Sequence, residues 1–334
     1  MYELLGICLS LSALLAINAF ASLPAAAAWR LIQRVTRNWS ARLRAEILFT
    51  LRVAPPAVAL VSVAAFLIPA FLAHEPYSTT EVVSKKLAVL SVVSASGVAL
   101  ALWRALRSWM ATRRLLREWL ANAREIQLAG VRISTFALSH SFPIIAVVGT
   151  MRPRLFIAER VLKSLNEEEL KAAIAHECGH LSARDNLKRS LVRGCRDVLI
   201  VVPFGRSLDR AWAEAAECAA DEHAAQEGAR TALNLASALV KIARMIPASG
   251  HAAIPVAAFL VGAGETRGVK TRVRRLVEIS SNDYRRRFGN SAVTKVLPAL
   301  SVGSLLVISV MVAANSFVLA GVHVLIEGVV RVLC

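Results

Sequence analysis

The chain has 334 residues, of which 56% are hydrophobic, with a mean hydropathy of +0.54 and a formal net charge of +17. Soluble domains are about 45–50% apolar, so this composition excludes an ordinary soluble enzyme, and its hydrophobicity excludes a disordered chain. Five cysteines without regular spacing exclude a small disulfide scaffold.

A membrane-spanning helix needs roughly 20 mainly apolar residues. Four segments are read as spans: 4–29; 53–73, with Pro55, Pro56 and Pro69; a shorter one at 87–103, with Gly97; and 296–319. The first is not read as a cleaved signal peptide, because Met1-Tyr2-Glu3 carries no positive charge and the arginines follow the apolar run. Arg30, Arg34, Arg37, Arg42 and Arg44 follow span one, opposed there only by Glu46. Arg104, Arg107, Arg113, Arg114 and Arg117 follow span three, and Arg285, Arg286, Arg287 and Lys295 precede span four. The positive-inside rule puts these basic loops in the cytoplasm. The N-terminus and the tail ending at Cys334 then lie outside, and the long segment 104–295 lies in the cytoplasm with reduced cysteines.

Residues 103–128 read as a basic amphipathic helix under anionic headgroups, with Leu102, Leu106, Trp109, Leu116, Leu120 and Ala123 at helical spacing. Val131, Ile133 and the run 144–148 are β-branched, and Gly149 and Pro153 punctuate strands 144–148 and 155–158 as a hairpin. Asn166 then offers a cap, with Glu167, Glu168 and Glu169 in the first turn of a helix reading LKAAIAHECGHLSARD. A second helix spans roughly 208–227. Between the two, 198–204 is an apolar run too short to span. The GAGETRG at 262–268 reads as a flexible loop.

His176 and His180 lie at i and i+4, so both imidazoles can reach one ion, and Glu177 beside them can reach a water at that ion: the H-E-x-x-H pattern. On the second helix Glu217 and Asp221 again share one face. A catalytic zinc takes three protein ligands and keeps one open position. His176, His180 and Glu217 supply a His₂Glu set, which suits Zn2+ well. Asp185 and Asp221 are placed to accept the other ring N–H of each ligand imidazole. Glu177 is expected to be the general base that takes the water's proton and passes it to the leaving amine. Arg272, His223 and His251 are weaker candidates for an oxyanion or substrate contact. An extended substrate could add a strand to the sheet edge near 144–158. Cys178 inside the motif reads as a packing thiol.

HECGHLSARD followed by ECAAD resembles the paired zinc motifs of the gluzincin membrane peptidases, both the BlaR/MecR type and the HtpX-like and CAAX-prenyl endopeptidase branch. VVGTMRPRLFIAERVL and RVRRLVEI are similar to the segments that flank the zinc helices in the BlaR/MecR type. The resemblance covers about residues 100–320. It implies N-out topology, three helices, a cytoplasmic zinc domain and a fourth helix. Penicillin-binding sensors follow the fourth helix in BlaR/MecR receptors. This chain ends at Cys334, so β-lactam sensing is not expected of it.

The expected fold is therefore a mainly α membrane protein: about four transmembrane helices and a cytoplasmic α+β gluzincin zinc-peptidase domain with a small β-sheet. The expected divisions are 1–103, 104–295 and 296–334. The expected activity is a zinc metalloendopeptidase making a regulatory, site-specific cut in a transcriptional repressor or in itself. The bilayer and a sensor protein are expected partners. Membrane-protein quality control and a non-catalytic signalling scaffold are the alternatives. Nucleic acid is not an expected partner, because no zinc-finger spacing, P-loop or helix-turn-helix signature is present.

Overall fold

The computed structural model describes residues 2–35, 39–76, 83–128, 130–149, 152–198, 205–246, 266–281 and 315–333. Three long apolar helical stretches open the chain. Helix α1 is Tyr2–Val35. Helix α2, Ala41–Ser62, starts at Ser40, whose hydroxyl accepts the Leu43 N–H, and passes through a π turn, Val63–Leu67, into α3, Ile68–His74. The π turn has a local cause. Pro69 has no N–H for the Ala65 carbonyl, so the ladder loosens just before it, and the Ile68 N–H reaches back to Val63. Helix α4, Lys85–Ala121, is capped by Ser84.

Tyr2–Trp29, Ala41–His74 and Lys85–Ala121 are each long and apolar enough to cross a membrane. Less than a third of each apolar window is buried in the protein, so most of its apolar side chains point outward. A soluble protein rarely exposes so much contiguous apolar surface. At about 1.5 Å per residue, the 37 residues of α4 extend well past a hydrocarbon core of about 30 Å. Of the expected fourth span, 296–314 lies outside the described residues. The described part continues as α11, Ser316–Leu333, which packs Leu319, Val322 and Ile326 against Leu5, Ala70 and Phe71.

The basic helix after the third apolar stretch ends seven residues earlier than its apolar spacing suggests. The Asn122 amide caps it by donating to the Glu118 carbonyl, and 123–126 turns into a strand. The four strands are β1 Ala123–Ile126, β2 Thr135–Leu138, β3 Ile145–Val148 and β4 Arg154–Ala158, in the order β1-β2-β4-β3. β1–β2 and β3–β4 are antiparallel, and β2–β4 is parallel. The expected hairpin is β3–β4. Val131 and Ile133 lie outside the ladder: Gly130, at φ +81, turns the chain there, and β4 pairs only with 135–138.

Short α5, Glu159–Ser164, leads into α6, Glu167–Ser182, then α7, Asp185–Val198, and α8, Gly205–Ala225. The apolar run at 199–204 lies outside the described residues. Helix α9, Ala229–Met245, is not among the expected elements, although Ala232, Leu235, Leu239 and Ile242 repeat at helical spacing and are buried. Helix α10 is Thr266–Ser280. It takes up the last three residues of the expected loop at 262–268, because Val269, Val273, Leu276 and Ile279 continue one apolar face into the core; 262–265 lies outside the described residues. One apolar core joins the sheet to α6, α9 and α10.

α6 carries a full capping box: Asn166 Oδ1 accepts from Glu169 N, and Glu169 Oε2 accepts from Asn166 N. Glu169 also accepts from Ser237 and pairs with Lys241, which ties the start of α6 to α9. Asn166→Ala removes half of the box and is expected to cost about 1 kcal/mol, lowering the melting temperature by about 2–4 °C. Thermal unfolding of the full chain in detergent checks this, with metal content expected to stay unchanged.

Candidate metal centre

Helix α6 runs over the sheet with His176 and Glu177 buried and His180 one turn further on. Helix α8 crosses it very closely because small residues meet. A Cβ at Gly179 would lie 3.0 Å from Ala220 Cα and 3.1 Å from His223 Cβ, so glycine is what lets the two backbones approach. That approach brings Glu217 of α8 to the histidines of α6. Among the described residues, His176, His180 and Glu217 form a group that could hold a metal, with one ligand atom from each lying within 4.8 Å of the others.

The far side of each imidazole is fixed. His176 Nδ1 lies 2.9 Å from Asp221 Oδ1, and His180 Nδ1 lies 2.7 Å from Asp185 Oδ2. With both Nδ1–H groups donating to carboxylates, the Nε2 lone pairs face each other, 3.2 Å apart. Two lone pairs at that distance repel unless a cation or a proton lies between them. Glu217 Oε2 is 3.6 Å from His176 Nε2, and Glu217 Oε1 is 3.6 Å from His180 Nε2. Ligands at about 2.0–2.2 Å from a tetrahedral zinc stand about 3.3–3.5 Å apart; the two nitrogens match that spacing, and the Glu217 carboxylate approaches each of them with a different oxygen. Glu217 Oε2 is also a buried oxygen without a hydrogen-bond partner. Arg272 Nη1 is 3.1 Å from it but not aligned to donate.

Carboxylates dominate the charge at this site. Arg272 grips Asp221 with two parallel bonds, Nε to Oδ2 at 2.9 Å and Nη2 to Oδ1 at 2.6 Å. Burial opposes ionisation of Asp221, but Arg272 and His176 outweigh it and hold the pKa down, at about 2. Glu217 is likewise buried, yet His180 and Arg272 hold it well below the usual carboxylate range. Burial depresses the His180 imidazole, but Glu217 and Asp185 more than offset that, and without metal its pKa rises to about 10. The carboxylates around it therefore favour a positive charge on the His180 imidazole.

Glu177 sits beside this cluster, and burial pushes its pKa up. Its Oε2 accepts the Val147 N–H at 3.1 Å. β3 is an edge strand, and the Ala158 N–H to Ile144 carbonyl bond fixes which of its residues face β4. Ile144, Ala146 and Val148 point their backbone groups at β4, so Val147 points its own outward, toward the centre. Asn186 Nδ2 donates to the outward Val147 carbonyl at 2.9 Å and lies 3.3 Å from the Gly149 carbonyl.

A family model described as Peptidase family M48 matches residues 113–292, more than half of the chain and all of the elements just described. The chain belongs to Peptidase family M48. It is thus a metallopeptidase by family, and its three apolar helices make it a membrane one. No curated protein matches the chain.

In this M48 chain the residues singled out by sequence divide clearly. His176, Glu177, His180, Asp185, Glu217 and Asp221 converge, and Arg272 joins them through its two carboxylate partners. His223 packs against α6 at Gly179 and is not part of the group that could hold a metal, and burial lowers its pKa. His251 lies outside the described residues. Sequence reasoning missed three contacts. The Val147 N–H is a backbone group and carries no side-chain signal. Asn186 directly follows Asp185 and is readable only as its neighbour. Arg275, one turn after Arg272, pairs with Glu222, the residue after Asp221.

Asp221→Asn keeps the shape but removes the charge that orients His176. Metal affinity is expected to fall about 10–100-fold, measured by competition with a chromophoric chelator. The pKa directions make a second prediction. His180 is raised in the folded metal-free protein, so the stability it contributes is complete below about pH 6.5 and is lost as pH rises through about 10. The metal-free protein should therefore melt at progressively lower temperature over that window, and metal should abolish the trend. Metal binding near pH 7 should release about one proton, seen as a buffer-dependent heat in calorimetry.

Proposed function

We propose that this M48 peptidase is a zinc-dependent integral-membrane endopeptidase that makes a regulatory, site-specific cut at the cytoplasmic face of the membrane. The observation that carries the reading is the triangle of two facing Nε2 atoms and one carboxylate, 3.2 Å and twice 3.6 Å on its sides, with a buried glutamate next to it. His176, His180 and Glu217 would hold the ion, which, when bound, supplies Lewis acidity to the scissile carbonyl and to the attacking water. Glu177 takes the proton from that water at its carboxylate and returns it to the leaving amine. Its burial suits this role, because a raised pKa brings the carboxylate nearer the working pH. Asp185 and Asp221 keep both imidazoles in the tautomer that offers Nε2.

The outward backbone of Val147 gives an extended peptide a place to pair beside Glu177. In this structure Glu177 occupies the Val147 N–H, and Asn186 occupies its carbonyl. A substrate strand must displace both, which favours a regulated enzyme over one that degrades any unfolded segment. The substrate would be a transcriptional repressor or the chain itself. The cytoplasmic placement rests on the arginine-rich loops after spans one and three.

Glu177→Gln is expected to retain metal and lose cleavage by about 10²–10⁴-fold. Comparing new protein N-termini in cells expressing the wild type or this variant identifies the substrate. One or a few fragments confined to the wild type support the regulatory reading, with self-cleavage visible as a fragment of the chain itself. Many unrelated membrane-protein fragments would replace it with quality control. Identical sets, with metal bound in both proteins, would leave a non-catalytic scaffold.

A further inference from the structure

Helix α2 belongs to an apolar stretch able to cross a membrane, yet its first three turns pack against the helices of the metal centre. Ala45 and Leu48 share one apolar cluster with Val192 of α7 and with Leu208, Trp212 and Ala216 of α8. Three polar contacts are spaced along the same part of α2. At its first residue, the Ala41 N–H donates to both carboxylate oxygens of Glu222, at 3.1 and 3.0 Å, which places a negative charge at the positive end of the helix dipole. The same carboxylate pairs with Arg275 of α10. Further along, Glu46 pairs with Lys188 of α7. Further still, Arg52 pairs with Asp209 of α8 at 2.8 Å, and Gly205 leaves room for the guanidinium, since a Cβ there would lie 3.3 Å from it.

These contacts land next to the groups that orient the imidazoles. Glu222 directly follows Asp221, the partner of His176, and lies five residues after Glu217. Lys188 lies three residues after Asp185, the partner of His180, on the same helix. The apolar cluster around Ala45 and Leu48 takes in α7 and α8 and no residue of α6, and where the four helices meet there is a cleft lined by Arg42 of α2, Ser182 of α6, Lys188 of α7 and Ala219 of α8. A displacement of α2 therefore moves α7 and α8 directly, while α6 can stay in place on the sheet. Metal sites tolerate about 0.2 Å in ligand distance, and helix shifts in switching proteins are about 1–2 Å. A small movement of this span is enough to separate Glu217 of α8 from the histidines of α6.

We propose that the second membrane span is a positioning element of the metal centre, acting through Glu222, Lys188 and Asp209: its place in the membrane sets the distance between Glu217 and the two imidazoles. Any stimulus that shifts or rotates this span, such as a membrane partner or a change in bilayer thickness, then acts on the metal site without touching it. The proposal rests on the metal-centre reading above.

The test uses the full chain in lipid nanodiscs loaded with Co2+, whose visible absorption reports ligand geometry independently of cleavage. Arg52→Asp and Asp209→Arg are made singly and together, along with the conservative Arg52→Lys. The single reversals should change the cobalt band and weaken cobalt binding about 10–100-fold. The double reversal should restore both, and Arg52→Lys should lie near the wild type. A merely structural pair would lower the melting temperature and leave the cobalt spectrum of the folded protein unchanged, and that result overturns the proposal. If a single reversal fails to fold, Glu46→Gln cuts the Lys188 tie more gently and is read in the same way: a wild-type spectrum overturns the proposal and an altered one supports it. A wild-type chain that binds no cobalt overturns the metal-centre reading first and this proposal with it. That outcome differs from a bound but unaltered cobalt site.

Discussion

Everything in this structure depends on two imidazole nitrogens being held face to face. Asp221 and Asp185 take the Nδ1–H groups, and the Nε2 lone pairs are left 3.2 Å apart with Glu217 beside them. Such an arrangement is unstable by itself. Buried carboxylates favour any cation that separates the lone pairs. Arg272 makes the cluster tolerable: by gripping Asp221 and approaching Glu217, it lets two carboxylates stay ionised one turn apart on α8. It does not cancel the excess, because Asp185, Asp221 and Glu217 outnumber it. The residual negative charge is what a divalent ion finds.

Close backbone approach is the second requirement, and it explains Gly179 and Ala220. Ala220 of α8 is buried against Gly179 of α6, where an added Cβ would lie 3.0 Å from the Ala220 Cα. Larger side chains there would hold the helices several ångström further apart, and a glutamate is too short to bridge the gap. Packing and catalysis are thus set by the same small residues. The capping box and the Glu169–Lys241 contact then fix where α6 begins and how it lies against α9.

Much of this is legible in the sequence, for identifiable reasons. Residues at i and i+4 on a helix must share a face, so spacing alone places the two histidines together and pairs Glu217 with Asp221. Asn166 with its three glutamates announces the start of α6. The three apolar stretches announce themselves by length. What cannot be read is mostly non-local. The parallel pairing of β2 with β4 has no spacing signal, and so the ladder begins at Thr135 rather than at the β-branched Val131. The end of α4 is decided by one cap at Asn122 against an apolar spacing that runs on. The contact of the Val147 N–H with Glu177 depends on which strand lies at the edge of the sheet. Likewise, only the folded chain brings Arg52 to Asp209, 157 residues away.

The ion pairs of α2 show what charge does where apolar packing alone would suffice. Replacing a buried pair by well-packed apolar groups is often neutral or stabilising, so stability is a weak reason for two such pairs along one helix. The apolar face they flank mixes small side chains, Ala45, Ala211, Ala215 and Ala216, with the larger Leu48, Val192, Leu208 and Trp212. Apolar contact is non-directional, so it fixes the position of a helix less sharply than paired charges do. The two ion pairs, and the hydrogen bonds from the Ala41 N–H to Glu222, cannot slide without leaving partly buried charges unpaired, which is destabilising. Glu222 at Ala41, Lys188 at Glu46 and Asp209 at Arg52 therefore select a single register for α2 against α7 and α8. A metal centre assembled from three helices needs that kind of fixed register, since its ligands lose the ion after a displacement far smaller than one helical turn.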